Sequence, residues 1–171
     1  MALIIQKYGG TSVADAVRVK EVAKRVLKYK NEGHDVIVVV SAPAGTTDSL
    51  IRRAYELSET PSKRELDMLL TSGEQISIAS LAIAIEDLGK KAVSLNAFQV
   101  DFKTTDEHTK ATILDINTDI IREKLSEGNV VVFAGFQGIT ENNEITTLGR
   151  GGSDTTAVAL GAALKADEVE I

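Results

Sequence analysis

The run Val36-Ile37-Val38-Val39-Val40 carries no polar residue for either side of a strand to offer to water. Alternate side chains of a strand point to opposite faces, so both faces of this one must be covered. The run is short and β-branched, which marks a central strand of a parallel sheet with helices above and below. Val130-Val131-Val132-Phe133-Ala134 is a second such strand. Leu3-Ile4-Ile5, ending at Lys7, Ala92-Val93-Ser94-Leu95 and Glu168-Val169-Glu170-Ile171 read as further strands.

Helical patterns fill the intervals. Within residues 13–31, Val19, Val22, Ala23, Val26 and Leu27 follow the spacing of an amphipathic helix, closed by Gly33. Arg18, Lys20, Lys24, Arg25 and Lys28 form its solvated outer face. A short helix is expected near 48–58. After Pro61 a long helix is expected over 63–88, buried through its second half because Ile76, Ile78, Leu81, Ile83, Ile85 and Leu88 are apolar almost all round. Asn117 or Asp119 caps a helix carrying Ile120, Ile121 and Leu125 and ended by Gly128. Gly138 to Thr147 reads as a hairpin turning at Asn142-Asn143, and a last helix runs to about Lys165. Residues 96–112 are polar and show no clear period. The repeated β-α-β order predicts an α/β fold with a mainly parallel central sheet.

Composition narrows the function classes. A chain of 171 residues holds one compact domain with a sizeable core, and no linker or internal repeat divides it. A net charge of −6 disfavours nucleic acid and anionic membranes as partners. The absence of cysteine excludes disulfides and cysteine–zinc sites, and His34 and His108 alone leave little scope for a histidine metal site. His108 reads as a surface residue. The N-terminus lacks the features of a signal peptide, and no apolar run approaches the ~20 residues of a membrane span. A cytoplasmic location is the expectation.

The chemistry concentrates in glycine loops. Gly149-Arg150-Gly151-Gly152-Ser153-Asp154-Thr155-Thr156, followed by Ala157-Val158-Ala159-Leu160, reads as a loop opening a helix, with backbone N–H groups free to meet an anion. Lys7-Tyr8-Gly9-Gly10-Thr11-Ser12 is a second glycine turn. The loops at 7–12, 41–48, 135–138 and 149–154 each adjoin the carboxyl end of an expected strand, where open α/β sheets bind ligands. No G-x-x-x-x-G-K-[ST] is present, and the spacing around Gly149 is not that of a dinucleotide fingerprint. There remains a loop-and-lysine arrangement, in which Lys7 pairs with phosphate oxygens while the N–H groups of Gly9 and Gly10 approach them closely.

Together these residues resemble the amino-acid kinase family, and within it the aspartokinases. Lys7-Tyr8-Gly9-Gly10-Thr11-Ser12-Val13 is similar to the family's opening motif. Val40-Ser41-Ala42 with Gly45-Thr46-Thr47-Asp48 is similar to the second loop, and Ser72-Gly73-Glu74-Gln75 to the third block. Ala134-Gly135-Phe136-Gln137-Gly138 and Thr147 to Ala157 resemble the fourth and fifth. Pro43-Ala44 and Asn96-Ala97-Phe98 depart from the commonest pattern, beside the motifs rather than in them.

The resemblance implies a three-layer αβα sandwich, truncated. Residues 1–171 would form the N-terminal, amino-acid-binding part of the catalytic domain, without the nucleotide lobe and the regulatory ACT domains. It implies transfer of the ATP γ-phosphoryl group to the side-chain carboxylate of L-aspartate, giving 4-phospho-L-aspartate, the first step towards lysine, threonine and methionine. ATP and Mg²⁺ are the implied cofactors, and a homo-oligomer the implied assembly. Lys7 would stabilise the transferring group and Asp154 would organise Lys7, with a helix N-cap as the alternative or additional role for Asp154. Lys7, Gly9, Gly10 and Ser41 would hold the nucleotide phosphates. Thr47, Glu74, Arg150, Gly151, Gly152 and Ser153 would bind the amino acid. Arg150 would clamp its α-carboxylate, and Glu74 would meet its ammonium or, alternatively, pair internally with Arg150 or Lys7. No metal ligand is assigned. Another acidic substrate, such as glutamate or acetylglutamate, and a non-catalytic aspartate-binding fragment remain open alternatives.

Overall fold

The computed structural model describes residues 1–171. Five strands form the main sheet: β1 (Leu3–Tyr8), β2 (Asp35–Val40), β3 (Ala92–Leu95), β6 (Val130–Ala134) and β9 (Glu168–Glu170). Their order is β3-β6-β2-β1-β9, and every pairing is parallel. The two apolar runs, β2 and β6, are neighbours inside the sheet. All of Val36–Val40 and Val130–Ala134 are buried, as strands covered on both faces require.

Two cores flank this sheet. On one face, side chains of α1 (Ala16–Asn31) and α4 (Ser72–Asp87) meet Val36, Val38, Val40, Val130 and Val132. On the other, α5 (Asp119–Ser126) and α6 (Gly152–Leu164) meet Ile5, Ile37, Val39, Val131 and Phe133. Alternate residues of one strand thus feed opposite cores, giving the expected three layers. Asp15 caps α1 by accepting from the Arg18 amide at 2.9 Å, and Gly33 takes the left-handed conformation (φ 90°) after its end.

Three features differ from the sequence reading. The 63–88 segment is two helices, α3 (Lys63–Leu70) and α4, broken at Thr71, whose hydroxyl bonds back to the Asp67 carbonyl at 3.0 Å. α4 is also not buried all round. Ile78, Leu81 and Ile85 are core, but Ile76 is 54% exposed and Ile83 65%, because α4 covers the sheet with one side only. Taken together, α3 and α4 (Lys63–Asp87) are long and apolar enough on average to cross a membrane, by length and composition only, and 56% of their most apolar window lies inside this fold.

The third feature is a second sheet. β4 (Phe102–Thr104), β5 (Ile113–Ile116), β7 (Gln137–Ile139) and β8 (Ile145–Thr147) are arranged β5-β4-β7-β8. β7 and β8 form the expected hairpin, with Asn143 at φ 61° in its turn. β4 comes from the segment 96–112 that showed no period, and β5 from the residues just after it, to which no element was assigned. The remaining helix, α2 (Thr46–Leu57), follows the loop after β2.

Candidate active site

A cavity of about 240 Å³ opens at the carboxyl ends of β1, β2 and β6. Lys7, Ser41, Thr47, Glu74, Gly151, Gly152, Ser153 and Asp154 all line it, joined by Ala42, Phe136 and Gly149. Residues almost 150 positions apart in sequence therefore share one site, because β1 lies inside the sheet and α6 starts above it.

Lys7, the penultimate residue of β1, sends Nζ to 2.8 Å from Asp154 Oδ1. Asp154 lies in the first turn of α6 but is not its N-cap; that position is Gly151, at φ 70°. The carboxylate is therefore free of capping duty and faces the lysine. The Gly152 amide bonds to the Gly149 carbonyl at 3.2 Å, whereas the amides of Ser153 and Asp154 have no backbone acceptor. Unpaired N–H groups in a first helical turn, beside an ammonium, favour an anion.

Glu74 occupies the floor. It is 2% exposed and pairs with neither Arg150 nor Lys7. Oε1 accepts from the Ala42 amide at 3.2 Å, and Oε2 is buried with no partner. Burial pushes its carboxyl up to about 7, against the opposing pull of its own amide and that of Ala42. A buried oxygen without a donor, on a residue that lines a polar cavity, fits a cationic group of a ligand.

The raised value fixes a pH dependence. Between about 4.5 and 7 the native state holds a proton that the unfolded chain has released, so stability falls as pH rises through this window. A shift of this size is worth roughly 3 kcal/mol. In urea titrations Glu74→Gln should flatten the decline between pH 5 and 8; an unaltered decline would assign it to other groups.

Arg150 does not line the cavity. It is exposed in the turn between Gly149 and Gly151, both of which do. Gly9 and Gly10 also lie off the cavity lining. A Cβ on Gly10 would stand 2.6 Å from the Ala42 carbonyl oxygen, and the Gly10 carbonyl accepts from the Ala44 amide at 3.0 Å. Its glycine is required for two loops to touch, rather than for approach to a phosphate. The same logic, invisible in sequence, applies at Gly135, where a Cβ would be 2.6 Å from Ser153 Oγ.

Sequence reasoning passed over Phe136 as a site residue. It adopts φ 74°, its amide donates to the Thr156 hydroxyl at 3.1 Å, and its ring packs where a Cβ on Gly152 would fall, at 2.7 Å. A bulky residue held in the left-handed region is constrained by its surroundings, here to wall the cavity. The only signal in the sequence was an aromatic between glycines after a buried strand. His108 is expected at the surface but is only partly exposed: its Nδ1 lies 2.8 Å from the buried Asp67 carboxylate.

An open parallel α/β sheet with glycine-bounded loops, a lysine and free helix amides at its carboxyl edge defines a class of protein that handles small anions. The chain belongs to the amino acid kinase family, whose model matches residues 2–171. The aspartokinase of Geobacillus stearothermophilus is 55% identical over 171 residues, all of this chain and 42% of that protein. Aspartokinase 2 of Bacillus subtilis is 51% identical with the same coverage. The chain thus spans less than half the length of these curated relatives. Among solved structures, aspartate kinase from Synechocystis superposes with a TM-score of 0.85 at 46% identity, covering 98% of this chain and 27% of that one. E. coli aspartokinase III in complex with aspartate and ADP superposes with a TM-score of 0.83 at 27% identity, covering 98% and 48%.

Proposed function

We propose that this chain is the amino-acid-binding part of an aspartate kinase, which transfers the ATP γ-phosphoryl group to the side-chain carboxylate of L-aspartate. The observation that carries the reading is the pairing, in one cavity, of an ammonium for anions (Lys7) with a buried carboxylate that keeps one oxygen unpartnered for a cation (Glu74). A zwitterionic acceptor and a phosphoryl donor need both. The identity of the relatives, and a neighbour that carries aspartate and ADP, support aspartate and ATP as the substrates.

In this reading Glu74 receives the α-ammonium, and Arg150, exposed on the rim between the lining residues Gly149 and Gly151, turns inward to receive the α-carboxylate. Thr47 and Ser153 offer hydroxyls to the remaining oxygens, with the backbone of Gly151 and Gly152 alongside. The side-chain carboxylate then points to Lys7. It is already an anion, so attack on phosphorus needs no general base. The obstacle is repulsion between two anions, and catalysis consists of positioning and neutralisation. Lys7, held by Asp154, stabilises the equatorial oxygens of the transferring group, and Ser41 and the free amides of α6 support them. Gly9 and Gly10 act by shaping the turn that carries Lys7. No group of three acidic or histidine side chains forms a metal cage. Mg²⁺ bound to ATP would neutralise phosphate charge. Most contacts to the nucleotide base would come from a nucleotide lobe outside these residues, as would regulation by ACT domains. A homo-oligomer, supported by the exposed Ile76 and Ile83, and a cytoplasmic location complete the proposal.

Calorimetry tests the acceptor assignment. L-aspartate should bind, and succinate, which lacks the ammonium, should bind about tenfold more weakly or worse. Affinity for aspartate should rise with pH through about 7, as Glu74 ionises, and Glu74→Gln should abolish that rise. Equal binding of aspartate and succinate would overturn the assignment.

A further inference from the structure

Asp67, on α3, is fully buried and lies outside the cavity lining. All the long-range donors to its carboxylate come from two distant segments. The Thr147 hydroxyl donates to Oδ1 at 2.6 Å. The Thr109 amide lies 3.1 and 3.0 Å from the two oxygens, and His108 Nδ1 is 2.8 Å from Oδ2. A buried carboxylate with this many partners is satisfied, and removing its charge leaves several donors stranded.

Both segments bear on the loop that carries Arg150. Thr147 ends β8, two residues before Gly149, and its carbonyl accepts from the Ala111 amide at 2.9 Å. Thr109 holds φ 71°, a conformation a β-branched residue keeps only under constraint. Its carbonyl oxygen would be 3.3 Å from a Cβ on Gly149, so the 109 turn forms the underside of the glycine loop. The Leu148 amide, between the two, is tied to the Phe136 carbonyl at 2.8 Å. Asp67 therefore grips the chain entering Gly149 and the turn beneath it.

We propose that Asp67 is a positioning residue for the amino-acid substrate: through Thr147 and Thr109 it fixes the backbone at Gly149 and with it the place of the Arg150 guanidinium. The inference rests on the assignment of Arg150 to the α-carboxylate. A role in stability alone would reduce the amount of active protein; a positioning role changes the affinity for one substrate.

The test uses the native full-length protein carrying Asp67→Asn, Thr147→Val or Thr147→Ser. Hydrogen exchange of the peptide covering 148–152 and steady-state kinetics are measured. In Asp67→Asn, exchange of that peptide should accelerate about tenfold. KM for aspartate should rise about tenfold or more, while kcat and KM for ATP stay within about threefold. Thr147→Val should show the same pattern more weakly, and Thr147→Ser, which keeps the hydroxyl, should behave as the wild type. Unchanged exchange at 148–152, or a lower kcat with KM for aspartate unmoved, would overturn the proposal. Should Asp67→Asn fail to fold, the contrast between Thr147→Val and Thr147→Ser decides it. Faster exchange in an enzyme that does not phosphorylate aspartate would leave the positioning of the loop standing and remove the substrate reading instead.

Discussion

Replacing Lys7 with alanine should lower kcat by about 10²–10³-fold or more while leaving aspartate affinity within about threefold. The ammonium sits at the end of β1, held by Asp154 at 2.8 Å, and it is the one lysine lining the cavity. Negative charge spreads over the transferring phosphoryl group in the transition state, so its loss is felt there most. In the proposed site aspartate is held elsewhere, by Glu74 and Arg150, which is why its binding should survive. Asp154→Asn should give a smaller kcat loss, because the lysine remains but is no longer held. Stopped-time product assays and aspartate calorimetry on the same protein separate the two quantities.

Removing Arg150 or Glu74 should do the reverse. Arg150→Ala should weaken aspartate binding by roughly 30–100-fold, the size expected for a charge-assisted, bidentate contact. Arg150→Lys should recover little, since an ammonium cannot reproduce the planar fork. Glu74→Ala should weaken binding to a similar degree by leaving the substrate ammonium in a cavity without its counter-charge. Calorimetric titration of each variant with aspartate measures both effects. Unchanged affinity in both variants would remove the assignment of the acceptor site.

The parts of the fold that were legible were those dictated by local chemistry. Val36–Val40 and Val130–Ala134 can satisfy only a position covered on both faces, and α1 announces its buried side through Val19, Val22, Ala23, Val26 and Leu27. β4 and β5 were not legible. They are three and four residues long, half polar, and become strands only because β7 lies beside β4. The extent of burial of α4 was misjudged because its composition is apolar on every side, while which side meets the sheet is decided by tertiary packing.

The candidate site shows the same division. Residue type and loop position led to Lys7, Glu74, Ser153 and Asp154, and the structure brings these four into one cavity. What sequence could not show is why the small residues are small. Gly10 meets Ala42, Gly73 meets Ala42 and Thr46, and Gly135 meets Ser153, contacts between segments far apart along the chain. His108 belongs with them: the carboxylate that its Nδ1 meets lies 41 residues away, beyond the reach of any local pattern.

The most direct measurement of the central claim is formation of an acyl phosphate. The native protein, given L-aspartate, ATP and Mg²⁺ and quenched with hydroxylamine, should yield aspartyl hydroxamate in step with ADP. Lys7→Ala should form almost none while still binding aspartate in the calorimeter. ADP release without hydroxamate, or hydroxamate formed equally well by Lys7→Ala, would contradict the account.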